Sequence, residues 1–233
     1  MSVATKDAVS GPTPSRLSLF WASTVGKKVL MALSGIVLFA YVVAHLLGNL
    51  QIYLGSDLIN RYAEMLHSNE GLLWTARIIL LAAVVVHAVA GFLLWLRRRE
   101  ARPIPYRTKE NIQASTASRT MIWTGFIIAA FVIYHVCDLT LGVAHAGEYI
   151  DLNPANNVVT GFSHPVPALL YVIAMIALGF HLWHGVYSMF GSLGLSHPRY
   201  TAGVKTVAAW AATLIALANI SIPVAVLTGL VHG

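Results

Sequence analysis

The sequence predicts an all-α membrane protein with five transmembrane helices. Of its 233 residues, 57% are hydrophobic and only 10% are charged, whereas soluble domains carry about 25% charged residues. The few charges lie between long apolar runs and are not spread evenly along the chain. A water-soluble fold of this size is therefore excluded, and the solvent for most of the chain is lipid.

Five apolar segments are long enough to cross a bilayer core, which takes about 20 helical residues. We expect the first to be retained, because its apolar run is about twice as long as a signal-peptide core and no convincing cleavage site follows it. The chain then divides into an N-terminal segment, 1–26, with Arg16–Trp21 as a candidate interfacial helix, and a transmembrane domain, 27–233. The predicted spans are Val29–Leu54, Leu72–Leu96, Thr120–Val143, Val166–Phe190 and Val204–Leu230.

The basic residues predict the orientation in the membrane. Every Lys and Arg except Arg61 and Arg77 precedes the first span or lies between spans two and three or spans four and five. By the positive-inside rule, the N-terminus is cytoplasmic and the C-terminus lies outside a bacterial cytoplasmic membrane. The outer loop 144–165 agrees, since it holds Glu148 and Asp151 and no basic residue. Topology thus explains the net charge of +6, and nucleic-acid binding, which needs a basic soluble face, is excluded.

Histidine is unusually frequent for such an apolar chain. Ten histidines outnumber the nine acidic residues, and four successive spans hold His45, His87, His135 and His181, with His184 one turn beyond the last. Ionisable residues at membrane depth are costly and are functional candidates. One alone is more simply a neutral imidazole bonded to a neighbouring helix, but four in succession are not. The remaining five, for which we expect solvent exposure, are His67, His145, His164, His197 and His232.

The depths of the four intramembrane histidines sort them into two pairs. With a helical rise of about 1.5 Å per residue, His45 and His135 lie roughly 25 and 24 Å from the cytoplasmic end of their spans. By the same rise, His87 and His181 both lie roughly 15 Å from it. The sequence therefore places one pair nearer each membrane surface.

Glycines repeat with the same pairing. Gly35 and Gly125 each precede the histidine of their span by ten residues, and Gly91 and Gly185 each follow theirs by four. Helix packing is one explanation, because small residues let membrane helices approach closely. A glycine at i+4 also lies on the histidine's own face and leaves room there for a flat macrocycle. The shared spacing indicates a pseudo-repeat of a helix pair.

Two imidazoles at one depth are suitable ligands for zinc, copper or haem iron. Zinc normally takes four ligands, and only Cys137 and Asp138 approach either pair. The single cysteine also excludes a disulfide framework, a four-cysteine cluster within this chain and the C-x-x-C-H attachment of c-type haem. Haem needs only two axial imidazoles, so the pattern favours a haem-binding helical bundle with two bis-histidine b haems. Such haems would connect a cytoplasmic electron carrier with quinone.

At these positions the chain resembles the di-haem cytochrome b membrane anchor of succinate:quinone oxidoreductase, that is, of succinate dehydrogenase or fumarate reductase. The resemblance is to the five-helix single-anchor type. It covers Ser23 to about Ser196, and the fifth span matches in number and length only. The motifs that carry it are Gly26-Lys27-Lys28 with Met31-Ala32-Leu33-Ser34-Gly35, Ala44-His45-Leu46, His87-Ala88-Val89-Ala90-Gly91, Tyr134-His135-Val136 and Phe180-His181-Leu182-Trp183-His184-Gly185.

The resemblance implies a ligand set for each haem. It assigns His45 and His135 to a distal haem, and His87 and His181 to a proximal one. His184 is an alternative to His181, which is favoured because in the family motif the ligand lies four residues before the glycine.

The resemblance also implies partners. Dehydrogenation would take place in a flavoprotein with covalent FAD and an iron–sulfur protein, and this chain has neither a Rossmann fingerprint nor a cysteine cluster. Its own share would be to anchor them in lipid, carry electrons and bind quinone, with menaquinone favoured; a higher oligomer of the complex stays open. Asp138 is either an acid for quinone chemistry or a solvated carboxylate at a helix end. The expected haem or quinone surroundings are His184, Asp138, Gly35, Gly91, Gly125 and Gly185.

Two other functions compete with this one. A transporter that moves protons or metal ions through intramembrane histidines predicts acids along its pathway or broken helices, and the spans show few of either. The di-haem quinone cytochrome of another respiratory dehydrogenase, such as formate dehydrogenase or hydrogenase, uses four helices and a different histidine spacing. Partner identity would separate it from the favoured function.

Overall fold

The computed structural model describes residues 15–101 and 115–232, which contain helices and no strands. Five of the helices are long and apolar enough to cross a membrane, so the predicted fold class, an all-α membrane protein with five spans, is confirmed. Within the described residues the order is α1 (Arg16–Ala22), α2 (Thr24–Asn49), a 3-10 helix (Leu50–Leu54), α3 (Ser56–His67), α4 (Glu70–Glu100), α5 (Thr116–Leu139), α6 (Pro154–Phe162), α7 (Pro165–Ser192) and α8 (Pro198–Leu227).

Several span ends differ from the predicted ones: α2 begins at Thr24 and not at Val29, and α4 continues to Glu100 beyond Leu96. Local turn chemistry explains the differences in two other spans. Helix α5 stops at Leu139, four residues before the predicted end, because the chain reverses at Gly142, whose φ of 68° suits glycine. Helix α8 begins at Pro198, six residues before the predicted start. Proline fits the first turn of a helix, where its missing N–H is not needed.

Three short helices lie outside the predicted spans. Helix α1 contains the candidate interfacial segment, and its position relative to the bilayer stays a prediction. Helices α3 and α6 occupy two loops on the opposite side of the bundle from α1. They pack together there, and the Asn60 side chain accepts a hydrogen bond of 3.1 Å from the Ala155 backbone at the start of α6. The core of this cap includes Ile52, Ile59 and Phe162.

The long helices pack mainly in three neighbouring pairs: α2 with α4, α5 with α7, and α7 with α8. Small residues bring α7 and α8 together, since a Cβ added at Gly179 would lie 3.1 Å from the Ala216 Cβ. The other two pairs, α2 with α4 and α5 with α7, carry the four intramembrane histidines. The bundle thus consists of two histidine-bearing hairpins and a fifth helix packed against the second.

Some of the residues that predict the orientation lie outside the described residues. This applies to residues 1–14 of the N-terminal segment and to Lys6, Arg102, Arg107 and Lys109. The direction in which the chain crosses the membrane stays a prediction, as does the division at residue 26.

Candidate functional site

His87 and His181 face each other between α4 and α7, with ring centroids 6.1 Å apart; we call them the proximal pair. The His87 Nδ1 lies 3.0 Å from the Met31 carbonyl oxygen. Because a carbonyl only accepts hydrogen bonds, the imidazole proton sits on Nδ1. The Ser34 hydroxyl lies 3.4 Å from the same nitrogen. Helix α2 therefore fixes which nitrogen of His87 carries the proton.

His181 is held in the same way by α5. Its Nδ1 lies 3.3 Å from the Thr124 hydroxyl oxygen, and Thr124 donates its only hydrogen to backbone carbonyls of its own helix, 3.0 Å away at Met121. The hydroxyl must then accept from His181 Nδ1–H. Ser34 and Thr124, each directly before a glycine, thus play equivalent parts in the two hairpins.

His45 and His135 form the distal pair, between α2 and α5, with ring centroids 5.7 Å apart. The His135 Nδ1 lies 3.1 Å from the Tyr171 hydroxyl, which in turn donates to the Asp138 carboxylate at 2.8 Å. The Tyr41 ring stacks on His45 with centroids 5.3 Å apart. The distal pair is therefore contacted mainly by aromatic residues, one of which, Tyr171, is bonded to a carboxylate.

The other ring nitrogen, Nε2, is not fully buried in His87, His135 and His181. Within the described residues no hydrogen bond reaches Nε2 of His87, His135 or His181, whereas Nδ1 of each is bonded. Yet every fully buried side-chain nitrogen or oxygen described has a hydrogen-bond partner. The three Nε2 atoms are consequently not sealed by protein, and they are the nitrogens free to bind a metal.

The spacing of both pairs fits a haem iron. At the usual metal–nitrogen distance of about 2 Å, imidazoles on opposite sides of one metal ion place their ring centroids about 6 Å apart. The observed separations are 6.1 and 5.7 Å. Nowhere in 15–101 and 115–232 do three His, Cys, Asp or Glu side chains converge as a zinc site requires. Haem supplies four nitrogen ligands itself, so its iron requires only two ligands from the protein.

The four glycines divide into two kinds. A Cβ at Gly35 would lie 3.3 Å from His87 Cε1, and one at Gly125 would lie 3.8 Å from His181 Cε1. These two glycines therefore lie against the proximal pair and not against the histidines of their own helices. By contrast, Gly185 has no such neighbour within 4 Å, and Gly91 has only the Met31 sulfur at 3.9 Å. Gly185 therefore has open space beside it, whereas a Cβ at Gly91 would make an ordinary van der Waals contact with Met31.

His184 is half-buried one turn beyond His181. The ring that approaches His87 is that of His181, and no hydrogen bond to His184 occurs in the described structure. This arrangement supports His181 as the ligand, and the choice between the two stays a prediction.

One expectation about the loop histidines is wrong. The side chain of His145 is 0% exposed, and its Nδ1 lies 2.8 Å from the Asp138 carboxylate, which is 1% exposed. His145 Nε2 lies 3.1 Å from the Thr160 hydroxyl. The expectation that Asp138 could be a solvated helix-end carboxylate is also wrong, because α6 and the loop before it bury its side chain. The other loop histidines, His67, His164, His197 and His232, are exposed as expected.

We call Asp138, His145, Thr160 and Tyr171 the loop cluster. Its rim is closed by Tyr149, whose ring lies 5.8 Å from that of His145 and whose hydroxyl donates to the Thr140 carbonyl at 3.0 Å. Burial raises the pKa of Tyr149, and the nearby charge of Asp151 raises this pKa further. The phenol therefore stays protonated and keeps its role as a donor.

Several residues of the site were missed by sequence reasoning. The contacts of Thr124 and of the Met31 carbonyl had a signal: Met-x-x-Ser/Thr-Gly occurs at 31–35 and again at 121–125. Tyr171 and His145 had none, since their contacts depend on how the loop folds over the end of α5.

A family model described as "Succinate dehydrogenase/Fumarate reductase transmembrane subunit" matches residues 96–220, which is more than half of the 233-residue chain. The chain belongs to this family. No curated protein and no solved structure gives a match.

Family and fold together establish a multi-pass membrane subunit of a succinate dehydrogenase or fumarate reductase, and the family implies association with the catalytic subunits. The match favours this function over a transporter or the cytochrome of another dehydrogenase. It includes His135 and His181 but starts after His45 and His87. In the first hairpin the resemblance rests on motifs and geometry alone.

Proposed function

We propose that this subunit binds two haem b groups, one between His45 and His135 and one between His87 and His181, and carries electrons between its iron–sulfur partner and quinone. The observation that carries this proposal is the geometry of the proximal pair. Both rings are bonded through Nδ1, both leave Nε2 free, and their centroids lie 6.1 Å apart.

The residues around the rings prepare them as ligands. A backbone carbonyl or hydroxyl that accepts from Nδ1–H fixes the imidazole tautomer and ring orientation and raises the basicity of Nε2. Met31 and Thr124 do this for the proximal pair, and Tyr171 does it for His135. When bound, each haem supplies a one-electron redox couple.

The basic end of the bundle suits the proposed cytoplasmic docking of the catalytic subunits, which would carry FAD and the iron–sulfur clusters. Arg97 ties the end of α4 to the α1–α2 junction by donating to the Ala22 carbonyl at 2.8 Å and to the Thr24 hydroxyl at 3.3 Å. Arg98 and Arg99 next to it are exposed. Ordinary positive-inside charge explains these residues equally well, so they do not carry the proposal.

Quinone would bind at the opposite end, near the distal pair, with the C-terminus outside a bacterial cytoplasmic membrane. Menaquinone is the preferred quinone because of the family resemblance. Asp138 and His184 stay predicted parts of the haem or quinone surroundings.

The experiment is haem and flavin analysis of the intact complex purified through a tag on this subunit. We expect two non-covalent protohaems per subunit by pyridine haemochrome, a dithionite-reduced b-type spectrum, and co-purification of a flavin-bearing partner. A folded complex without haem would overturn the proposal. For the ligand assignment, His181→Ala should lose haem and His184→Ala should keep it, and the reverse result would exchange their roles.

A further inference from the structure

The loop cluster forms an unbroken chain of hydrogen bonds that begins at a ring of the distal pair. His135 Nδ1 lies 3.1 Å from Tyr171 Oη, Tyr171 lies 2.8 Å from Asp138 Oδ2, and Asp138 Oδ1 lies 2.8 Å from His145 Nδ1. The proposed function uses only the first link of this chain, the bond between His135 and Tyr171. It joins a membrane-embedded imidazole to a carboxylate that the loop buries.

The direction of the hydrogen bonds follows from counting hydrogens. A phenol has one, and Tyr171 gives it to the Asp138 carboxylate. Tyr171 Oη is therefore an acceptor toward His135, so the proton of His135 must sit on Nδ1. Asp138 thereby decides, through Tyr171, that Nε2 is the free nitrogen of His135.

The second oxygen of Asp138 is held as firmly as the first. Thr160 donates its hydroxyl hydrogen to the Asn156 carbonyl at 2.8 Å, so its oxygen accepts from His145 Nε2–H at 3.1 Å. The other nitrogen, His145 Nδ1, lies 2.8 Å from Asp138 Oδ1, so the ring is held at both nitrogens. Each carboxylate oxygen has one donor, and the carboxylate has no freedom to turn away from Tyr171.

We infer that Asp138, clamped by His145, is a positioning residue that acts through Tyr171 to orient His135 and to stabilise the oxidised state of the distal haem. The inference rests on the proposed function. A hydrogen bond from the Nδ1–H of a ligand to a strong acceptor makes Nε2 more basic, and a carboxylate behind the phenol strengthens that acceptor because bonds in a chain polarise one another.

The effect is specific to the distal pair. His87 and His181 rest on a neutral carbonyl and a neutral hydroxyl, with no carboxylate among their described hydrogen-bond partners. The loop cluster belongs to α5, α6, α7 and the loop between α5 and α6, and the first hairpin has no counterpart to it in the described residues. The two centres are therefore tuned by different chemistry.

The test is redox titration of both b-type components in the purified complex carrying Tyr171→Phe, with Tyr134→Phe as the matched control. Tyr134 lies on α5, its ring is 6.0 Å from that of Tyr171, and its hydroxyl has no hydrogen bond among the described residues. Asp138→Asn is the second variant. The components are assigned to the two pairs beforehand by which of them His135→Ala and His87→Ala remove.

We expect Tyr171→Phe and Asp138→Asn to raise the midpoint potential of the distal component by about 59 mV, which is a tenfold change in the one-electron equilibrium. The proximal component and the Tyr134→Phe complex should be unchanged. Selective loss of the distal haem in Tyr171→Phe would also support the inference. Unchanged potentials, equal shifts of both components, or an equal effect of Tyr134→Phe would overturn it, whereas a wild-type complex without two haems would refute the proposed function instead.

Discussion

The two histidine pairs have similar spacing but are held by different parts of the molecule. The proximal rings bond to a carbonyl and a hydroxyl that belong to α2 and α5 themselves, so helix packing alone fixes them. The ring of His135 instead depends on Tyr171 and Asp138, which are in turn held by a loop that folds over the end of α5. One pair is thus supported within the bundle and the other partly from outside it.

This contrast shows where the internal repeat breaks down. Met31, Ser34 and Gly35 in the first hairpin have the sequence counterparts Met121, Thr124 and Gly125 in the second. The three residues of the first set lie against His87, whereas in the second set Thr124 and Gly125 lie against His181. At the distal pair the symmetry is lost. There His45 has a stacked tyrosine, whereas His135 has a hydrogen-bonded one.

Replacement of a single histidine should have the largest effect. If it did not, the assignment of the histidines to two pairs would be wrong. Because each proposed haem would need two histidine ligands, His45→Ala or His135→Ala should remove one spectral component, and His87→Ala or His181→Ala the other, leaving about half of the haem. The measurement is the reduced-minus-oxidised spectrum of the purified complex. Loss of both haems in every variant, in a folded complex, would contradict two separate sites.

Removing the Asp138 charge should be the most costly change to stability outside the four ligands. Asp138→Ala leaves the buried His145 without its partner, and breaking a buried pair costs about 3 kcal/mol or more. The matched change at the proximal pair, Ser34→Ala, should cost about 1 kcal/mol. Thermal unfolding of the complex, followed by fluorescence, should rank the two in this order. Equal midpoints would show that the Asp138–His145 pair contributes no more to stability than the Ser34 hydroxyl does.

Two glycine replacements should have different effects, one on stability at the loop cluster and the other on haem content near the proximal pair. In Gly161→Ala the new Cβ would lie 2.8 Å from His145 Cε1, and such overpacking costs about 1–3 kcal/mol. In Gly185→Ala the methyl group meets no neighbouring atom within 4 Å, so the free energy of unfolding should stay the same while haem content falls. Unfolding midpoints and pyridine haemochrome together check the pair. Full haem occupancy in Gly185→Ala would mean that the macrocycle does not use this space.

The smallest effect is expected at Thr124. Thr124→Val keeps the shape of the side chain and removes the hydroxyl that lies 3.3 Å from His181, a bond worth about 1 kcal/mol. The potential of the proximal component should change slightly and that of the distal component not at all. A redox titration beside wild type measures this, and a distal shift of the same size would show that the two centres are not held independently.

The sequence was most informative where a single physical property decides the structure. Apolar length alone decides the five spans, and helical rise alone places His87 level with His181. It was least informative where the chain folds back on itself. His145 looks like an ordinary loop histidine, and only the way α6 covers Asp138 shows otherwise. Between these extremes, the repeat that places Ser34 and Thr124 against the proximal rings was present in the sequence, but its meaning required the packing of α2 on α4 and of α5 on α7.

Each histidine pair takes one member from each hairpin: His45 with His135, and His87 with His181. The first hairpin alone therefore holds half of each site and can complete neither. During synthesis the distal site can exist only after α5 is made, and the proximal site only after α7. With the proposed haems bound, each cofactor would be a cross-link between the two hairpins, so the supply of haem would set the point at which the inserted chain becomes a single assembled unit.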